Sequence, residues 1–300
     1  MNYLGSFYAF LTAVGFKINT LTVRSLQEKG AAKLDTYAIY RYALIPSVIW
    51  SLIFVRTAEL KLIFHTPKLL IILGVIIVFW NLQAYLRAEI SNSTNSMVLF
   101  STIFNMLAFP LFLAFGTFFN HDKPNAFSLI SILILLVAIL IRPTPHKENL
   151  RPSLSRPLRT IVLLIFLTAC CDTILQGVAR EALQTIRPVV FLGIFSLPTL
   201  SICWIISKFY IHRHAPETVA MKRRQWLTVS LIPMTWFVAS IPEAFALAAI
   251  PIYTFISINV LTFGMDTTSD LFHKRIRLSP QTISFLVLVI AGISLSVLSV

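Results

Sequence analysis

Ten apolar runs of membrane-spanning length follow one another along the chain, and few folds accommodate such a pattern. They read as Tyr3–Leu26, Tyr37–Val55, Leu69–Leu86, Met97–Phe119, Ala126–Ile141, Thr160–Ala179, Pro188–Tyr210, Trp226–Ala246, Ala248–Met265 and Thr282–Val300, each bounded by charges or turn residues. A helix that crosses the hydrocarbon core needs about 20 mostly apolar residues. The 300 residues therefore hold these spans with their loops and no soluble domain of ordinary size. Composition agrees, with 57% of residues hydrophobic and 12% charged, against about 25% charged in soluble domains. The expected class is an all-α integral membrane protein with ten transmembrane helices. The first run passes Lys17 with no basic segment ahead of it and no small-residue cleavage signature, so it is expected to remain as a mature helix.

The longest polar interruptions are Arg142–Arg159, which carries Pro143, Pro145, Pro152 and Pro157, and Ile211–Gln225. The first divides the chain into residues 1–142, a Pro/Arg-rich linker at 143–159, and residues 160–300. Sliding the sequence by 156 residues places Phe10-Leu11-Thr12-Ala13 on Phe166-Leu167-Thr168-Ala169, Arg24 on Arg180, Trp80 on Trp236, and Ser128 on Ser284. One offset thus serves four helices, which predicts two five-helix repeats. Because five is odd, the halves insert with opposite orientation. That is the inverted-topology plan of many secondary transporters, which handle substrate near the midplane between halves.

The net charge of +13 would suggest nucleic acid as the partner of a soluble protein. In a multi-pass chain it reads first as topology, because basic loops are held at the cytoplasmic face. Under the ten-helix reading, 17 of the 25 Lys and Arg fall in loops on one side and 6 on the other, with Lys17 and Arg41 inside helices. Both termini are then expected on the non-cytoplasmic side. The expected setting is the lipid bilayer, with a bacterial inner membrane as the location, no nucleic-acid partner, and a monomer or homodimer.

Polar residues inside the spans carry the most information, since a charge at a helix centre costs about 2.5 to 3.5 kcal/mol on insertion scales. Asp172, Gln176 and Arg180 recur at i, i+4 and i+8 in the sixth run, making one polar stripe. They read either as an internal packing network or as a cavity lining. Lys17 lies one position from the repeat equivalent of Asp172, so a Lys17–Asp172 pair across the pseudo-twofold axis is expected. Trp80, Gln83 and Arg87 lie at i, i+3 and i+7 in the third run, and Trp236, Ser240 and Glu243 at i, i+4 and i+7 in the eighth. The offset of 156 lays one stripe on the other, with Arg87 on Glu243. The tryptophans read as interfacial anchors or as aromatic walls of a binding site. Asn105 and Asn259 are single amides in apolar surroundings, read either as substrate contacts or as interhelical hydrogen-bonding groups. Arg41, with Tyr37 and Tyr40, belongs to a gate or an interface belt. Asp266 and Asp270 approach the end of the ninth run, where solvation at the interface explains them.

Several motifs then resemble the drug/metabolite transporter superfamily, in particular its EamA-like ten-helix members. Tyr40-Arg41-Tyr42-Ala43-Leu44 is similar to that family's start of the second helix. The stretch from Ser91 through Asn95, Ser96 and Phe104 to Pro110 is similar to its fourth helix, and Asp122 lies near where relatives carry a glutamate. Ala291-Gly292-Ile293 matches the closing small-Gly-aliphatic pattern. The second half lacks the corresponding proline and glutamate, and Val14-Gly15 stands in place of the usual tryptophan-glycine start. The resemblance implies a carrier, with both termini cytoplasmic in relatives, contrary to the charge count here.

The expected function is a secondary-active transporter, an exporter or exchanger of a small organic metabolite, rather than an enzyme. No Gly-x4-Gly-Lys-[Ser/Thr] phosphate loop, His-Glu-x-x-His or Gly-x-Ser-x-Gly occurs. The six histidines are assigned to loops, where His212 and His214 with Glu217 form at most an adventitious metal set. Cys170, Cys171 and Cys203 have no disulfide or zinc spacing, so no cofactor or metal is expected. A lipid-modifying membrane enzyme and a non-transporting scaffold are the alternatives. Lys17, Trp80, Gln83, Asn105, Asp172, Gln176, Trp236 and Asn259 are the expected substrate-binding residues, and Arg41, Arg180 and Glu243 the coupling or gating residues. Lys17, Asp172 and Glu243 together suit a substrate with both amine and carboxylate character. Glu243, with no cation in its own helix segment, is the expected proton-coupling residue, whereas Asp172 is expected to be held ionised by Lys17 or Arg180.

Overall fold

The computed structural model describes residues 3–28, 43–93, 97–143, 156–214, 223–273 and 275–300. Every regular element in them is a helix. In chain order these are α1 (Tyr3–Glu28), α2 (Leu44–Phe54), α3 (Thr57–His65), α4 (Pro67–Ser93), α5 (Met97–Phe118), α6 (Ala126–Leu140), α7 (Leu158–Leu183), α8 (Pro188–His214), α9 (Arg223–Ala249), α10 (Ile252–Asn259), α11 (Leu261–Phe272) and α12 (Pro280–Leu298).

Five helices are long and apolar enough to cross a membrane, over Pro67–Arg87, Phe100–Phe118, Leu158–Leu183, Pro188–Ile206 and Pro280–Leu298. Leu44–Phe54, Ala126–Leu140 and Met234–Ala249 are shorter apolar helices. The outward surface matches this reading, because large apolar side chains such as Leu52, Ile71, Leu133, Val287 and Ile290 are all more than half exposed. A water-facing surface of that kind would be an association liability; facing lipid, it meets its own solvent. The fold is of the all-α membrane type.

Two buried clusters hold the bundle. Phe109, Phe112, Leu135, Phe255 and Phe285 meet where α5, α6, α10 and α12 converge. Ile63, Leu69, Ile72, Val190 and Phe195 join α3, α4 and α8. Along the chain pairs, α1 lies on α9, α4 on α7, α5 on α7, α6 on α12, and α2 on α8. Lipid offers no hydrophobic drive between helices, so close backbone approach must supply the attraction. Glycine permits it at these contacts. A Cβ at Gly15 would lie 2.8 Å from that of Ala239, one at Gly177 only 2.0 Å from Phe115 Cε1, and one at Gly292 2.6 Å from the Leu135 side chain. Several buried hydroxyls are satisfied within their own helices, as when Thr168 donates to the Leu164 carbonyl at 2.7 Å and Ser257 to that of Tyr253 at 2.8 Å. Such back-bonding removes an exposed donor from the apolar phase.

Three local readings of the sequence need correction. The short helix α3 stands where a loop was expected. Its first turn is built by the Arg56 backbone N–H, which donates to Glu59 Oε2 at 2.6 Å, the reciprocal half of a capping box. The ninth run, expected as one helix over Ala248–Met265, is divided into α10 and α11. Pro251 supplies no backbone N–H and disfavours a helical residue before it, so α9 stops at Ala249 and a new helix starts at Ile252; a turn at Val260 follows. Finally, His65 ends α3, and His212 and His214 lie in the last turn of α8 rather than in loops.

Candidate functional site

The polar stripes of α4, α7 and α9 converge. Trp80, Gln83 and Arg87 come from α4, Asp172 and Gln176 from α7, and Trp236, Ser240 and Glu243 from α9. Gln83 Nε2 donates to Asp172 Oδ1 at 2.5 Å, and Gln176 Nε2 donates to Glu243 Oε1 at 2.9 Å. Arg87 Nη2 stands 3.9 Å from Asp172 Oδ1, and its guanidinium lies 5.9 Å from the centroid of the Phe104 ring. Glu243 is within electrostatic range of both Asp172 and Arg87. The Trp80 and Trp236 rings meet edge to face, with centroids 5.9 Å apart and planes at 63°. Gln83 and Ser240 are buried, whereas Trp80, Arg87, Asp172, Gln176, Trp236 and Glu243 each keep part of their surface uncovered. Within an apolar bundle, that partial exposure makes the cluster a place where a solute can reach charge and aromatic faces together.

Two further charge networks lie at opposite ends of α6, a helix of 15 residues and hence about 22 Å long. Before its first residue, the Asp122 carboxylate pairs with Arg180 of α7 and accepts the Ile252 backbone N–H of α10 at 3.3 Å. Lys68 with Glu181 and Glu59 with Arg187 add two more exposed pairs among the neighbouring connections. After its last residue, Arg142 Nη2 lies 3.6 Å from Asp266 Oδ2 of α11, and Asp266 also pairs with Lys17 of α1. Arg142 donates to Ser101 Oγ at 3.0 Å and stacks 4.5 Å from the Phe263 ring centroid. Arg156 with Glu89, 2.6 Å apart, and Arg275 with Asp270, 3.6 Å apart, extend the charged layer at this end.

The expected Lys17–Asp172 pair is therefore replaced. Lys17 is nine-tenths buried on α1 and engages Asp266, while Asp172 is served by Gln83 and Arg87. Arg180 likewise leaves the stripe it shares with Asp172 and Gln176, since two turns separate it from Asp172 and Asp122 receives its charge. Asp266 and Asp270 are not simply solvated at the interface; both carry ion pairs, and Asp270 is buried. Asn105 donates to the Ser101 carbonyl of its own helix at 2.7 Å, and Asn259 Oδ1 is buried with no hydrogen-bond partner. Neither amide joins the cluster or carries the expected interhelical bond. Arg41 lies outside the described residues.

Arg87, Asp122, Arg142 and Asp266 were missed as candidates. Arg87 had a signal, since the offset of 156 lays it on Glu243 and it shares a helix face with Trp80 and Gln83. Asp122 and Arg142 lie just beyond helix ends, where a loop assignment hides them, and Asp266 lies midway along α11 but one residue past the expected end of the ninth run.

No family model matches the chain, and no curated protein matches it. Among solved structures, a crystal structure of a protein at 10% identity superposes with a TM-score of 0.74, over 99% of this chain and 98% of the other. At that identity the likeness shows a shared fold and assigns no chemistry to the cluster.

Proposed function

We propose that the chain is a secondary-active transporter, an exporter or exchanger of a small organic metabolite, working by alternating access around a midplane site between two inverted five-helix halves. The observation that carries this reading is the polar cluster itself. Two tryptophans 156 residues apart in sequence touch each other, and the stripes that follow them supply two carboxylates, an arginine and two amides inside an otherwise apolar bundle.

Helix partnering supports the two-half plan. With the halves counted as α1 to α6 and α7 to α12, α1 corresponds to α7, α4 to α9, and α5 to the divided pair α10 and α11. The contact of α1 with α9 then mirrors that of α7 with α4, and α1 with α10 and α11 mirrors α7 with α5. The pairs α2 with α8 and α6 with α12 join each helix to its own counterpart. A pseudo-twofold axis in the membrane plane requires this set. The plan agrees with the drug/metabolite transporter resemblance, and the loop cations favour non-cytoplasmic termini in a bacterial inner membrane.

The end networks fit the same mechanism as gates. Lys17 and Asp266 tie the first helix of one half to the fourth span of the other, and Arg180 and Asp122 do so with the halves exchanged. Opening one end separates one ion pair while the other stays closed. Glu243, with no cation in salt-bridge contact among the described residues, is the coupling carboxylate in this scheme. Uptake and counterflow in proteoliposomes, measured over amino acids, amines, nucleosides and sugars under an imposed pH gradient, test the reading. Saturable movement of one class, lost on Glu243→Gln when driven by the gradient, is expected; no movement of any class with folded protein would overturn it.

A further inference from the structure

The charge balance of the cluster identifies the kind of solute it takes. Lys17, which would have supplied the site with a second cation, is committed to Asp266 on α11. Among the described residues, what faces the site is one guanidinium, Arg87, and two carboxylates, Asp172 and Glu243. The amides of Gln83 and Gln176 are turned so that their N–H groups donate to those carboxylates, which leaves carboxylate charge, not amide donors, as what a solute meets. Tyr8 of α1 also faces α9, where it packs on the Phe245 ring with centroids 5.1 Å apart. With Asp172 and Glu243 ionised, the set carries one uncompensated negative charge in a low-dielectric environment, where an unpaired charge is expensive.

From this we infer that the transported solute is an organic monocation with an apolar or aromatic body, its charge cancelling the unbalanced carboxylate and its body held against Trp80 and Trp236. Tryptophan faces attract desolvated cations, so the aromatic pair and the excess negative charge select the same chemistry. Arg87 Nε is buried without a hydrogen-bond partner and takes an acceptor oxygen if the solute carries one. A zwitterion, by contrast, would leave the excess charge in place. This inference rests on the transporter reading for its biological meaning, but the binding site it describes can be tested without transport.

The test is equilibrium binding to the purified full chain in detergent at pH 8, with four probes that share a benzyl body: benzyltrimethylammonium, phenethylamine, phenylalanine and 3-phenylpropionate. Both cations should bind saturably and at least tenfold more tightly than phenylalanine or the anion. Glu243→Gln keeps an oxygen for Gln176 and should weaken the cations by tenfold or more, with thermal melting as the check of folding. Arg87→Gln separates the alternatives, because removing the site's cation should raise the affinity for both cationic probes, whereas a site built for a zwitterion would lose affinity. Absence of saturable binding by either cation, or phenylalanine binding as tightly as phenethylamine, would overturn the inference. Benzyltrimethylammonium is permanently charged and crosses bilayers poorly, so its uptake into proteoliposomes addresses the other question. Tight binding without movement would sink the carrier reading and leave the cation site standing; carrier-mediated movement of phenylalanine without cation binding would do the reverse.

Discussion

The two ends of the bundle use the same kind of contact with unequal means. At the Asp122 end, one carboxylate meets one guanidinium and is finished by a backbone amide from α10. At the Asp266 end, one carboxylate is shared by Lys17 and Arg142, and an aromatic ring takes part of the load of the second cation. The first arrangement is a neutral pair and the second carries a net positive charge. A neutral pair can be separated only if each member finds water, whereas in the triad Asp266 can release one cation and keep the other. The two networks join corresponding helices under exchange of halves, but the residues themselves do not correspond, since the offset of 156 lays Arg180 on Arg24 and Lys17 on Thr173; in the proposed gating scheme the work of opening would therefore differ between the two ends.

Removing Asp266 should break this comparison most severely. Asp266→Asn strands two cations, Lys17 and Arg142, both with little exposure. Loss of one member of a buried pair costs about 3–5 kcal/mol, and the upper part of that range is expected in detergent denaturation. A second substitution, Lys17→Met, should recover most of the loss, and failure to recover would mean that Asp266 supports the fold by other contacts. Asp122→Asn strands only Arg180, which lies near a helix end and can reach outward. Its expected cost is smaller, about 1–3 kcal/mol; equal costs at the two ends would remove the asymmetry.

Glu243→Gln sharpens the comparison from the middle. Because the Gln176 bond is retained, stability should change by less than about 1 kcal/mol, while gradient-driven solute accumulation is lost. A variant that keeps full gradient dependence would remove Glu243 from coupling.

The smallest effect is expected at Glu59, whose carboxyl lies below its ordinary range chiefly because it accepts the Arg56 backbone N–H, which outweighs the opposing loss of hydration, with the Arg187 side chain adding to the lowering. A carboxyl lowered in the folded state stabilises the protein above its unfolded value and ceases to do so as pH falls through the folded value. Glu59→Gln should therefore lower the melting temperature slightly at neutral pH, and the difference from the parent should vanish as pH falls below 4.5, flattening the acid limb.

Much of the site was legible in sequence because each helix carries its own period. Trp80 with Gln83 and Arg87, Asp172 with Gln176, and Trp236 with Glu243 each lie on one face, and the faces do meet. Partner choice was not legible in that way. Nothing in the period of α1 says that Lys17 turns toward α11 rather than α7, because pairing depends on how helices are rotated against one another. Asp122 and Asp266 escaped for a second reason, since both lay past the expected ends of their helices, and such residues look solvated until the neighbouring chain closes over them. The division between α9 and α10 was legible as the gap between the eighth and ninth runs, whereas that between α10 and α11 at Val260 was concealed by the hydropathy of the surrounding run.

One consequence of that division concerns how the protein is made. Every residue from Ile252 to Ile258 in α10 is buried, and α1, α5, α6 and α12 form its walls. At eight residues, or about 12 Å, the helix is too short to cross the hydrocarbon core. It meets no lipid on any face, so membrane insertion machinery that sorts segments by partitioning has no grip on it. Its place exists only once α12 has closed the fourth wall, and α12 leaves the ribosome after α10. The seating of α10 consequently waits on the synthesis of α12, and a chain stalled before Pro280 would hold this segment without a home, exposed to quality-control proteolysis.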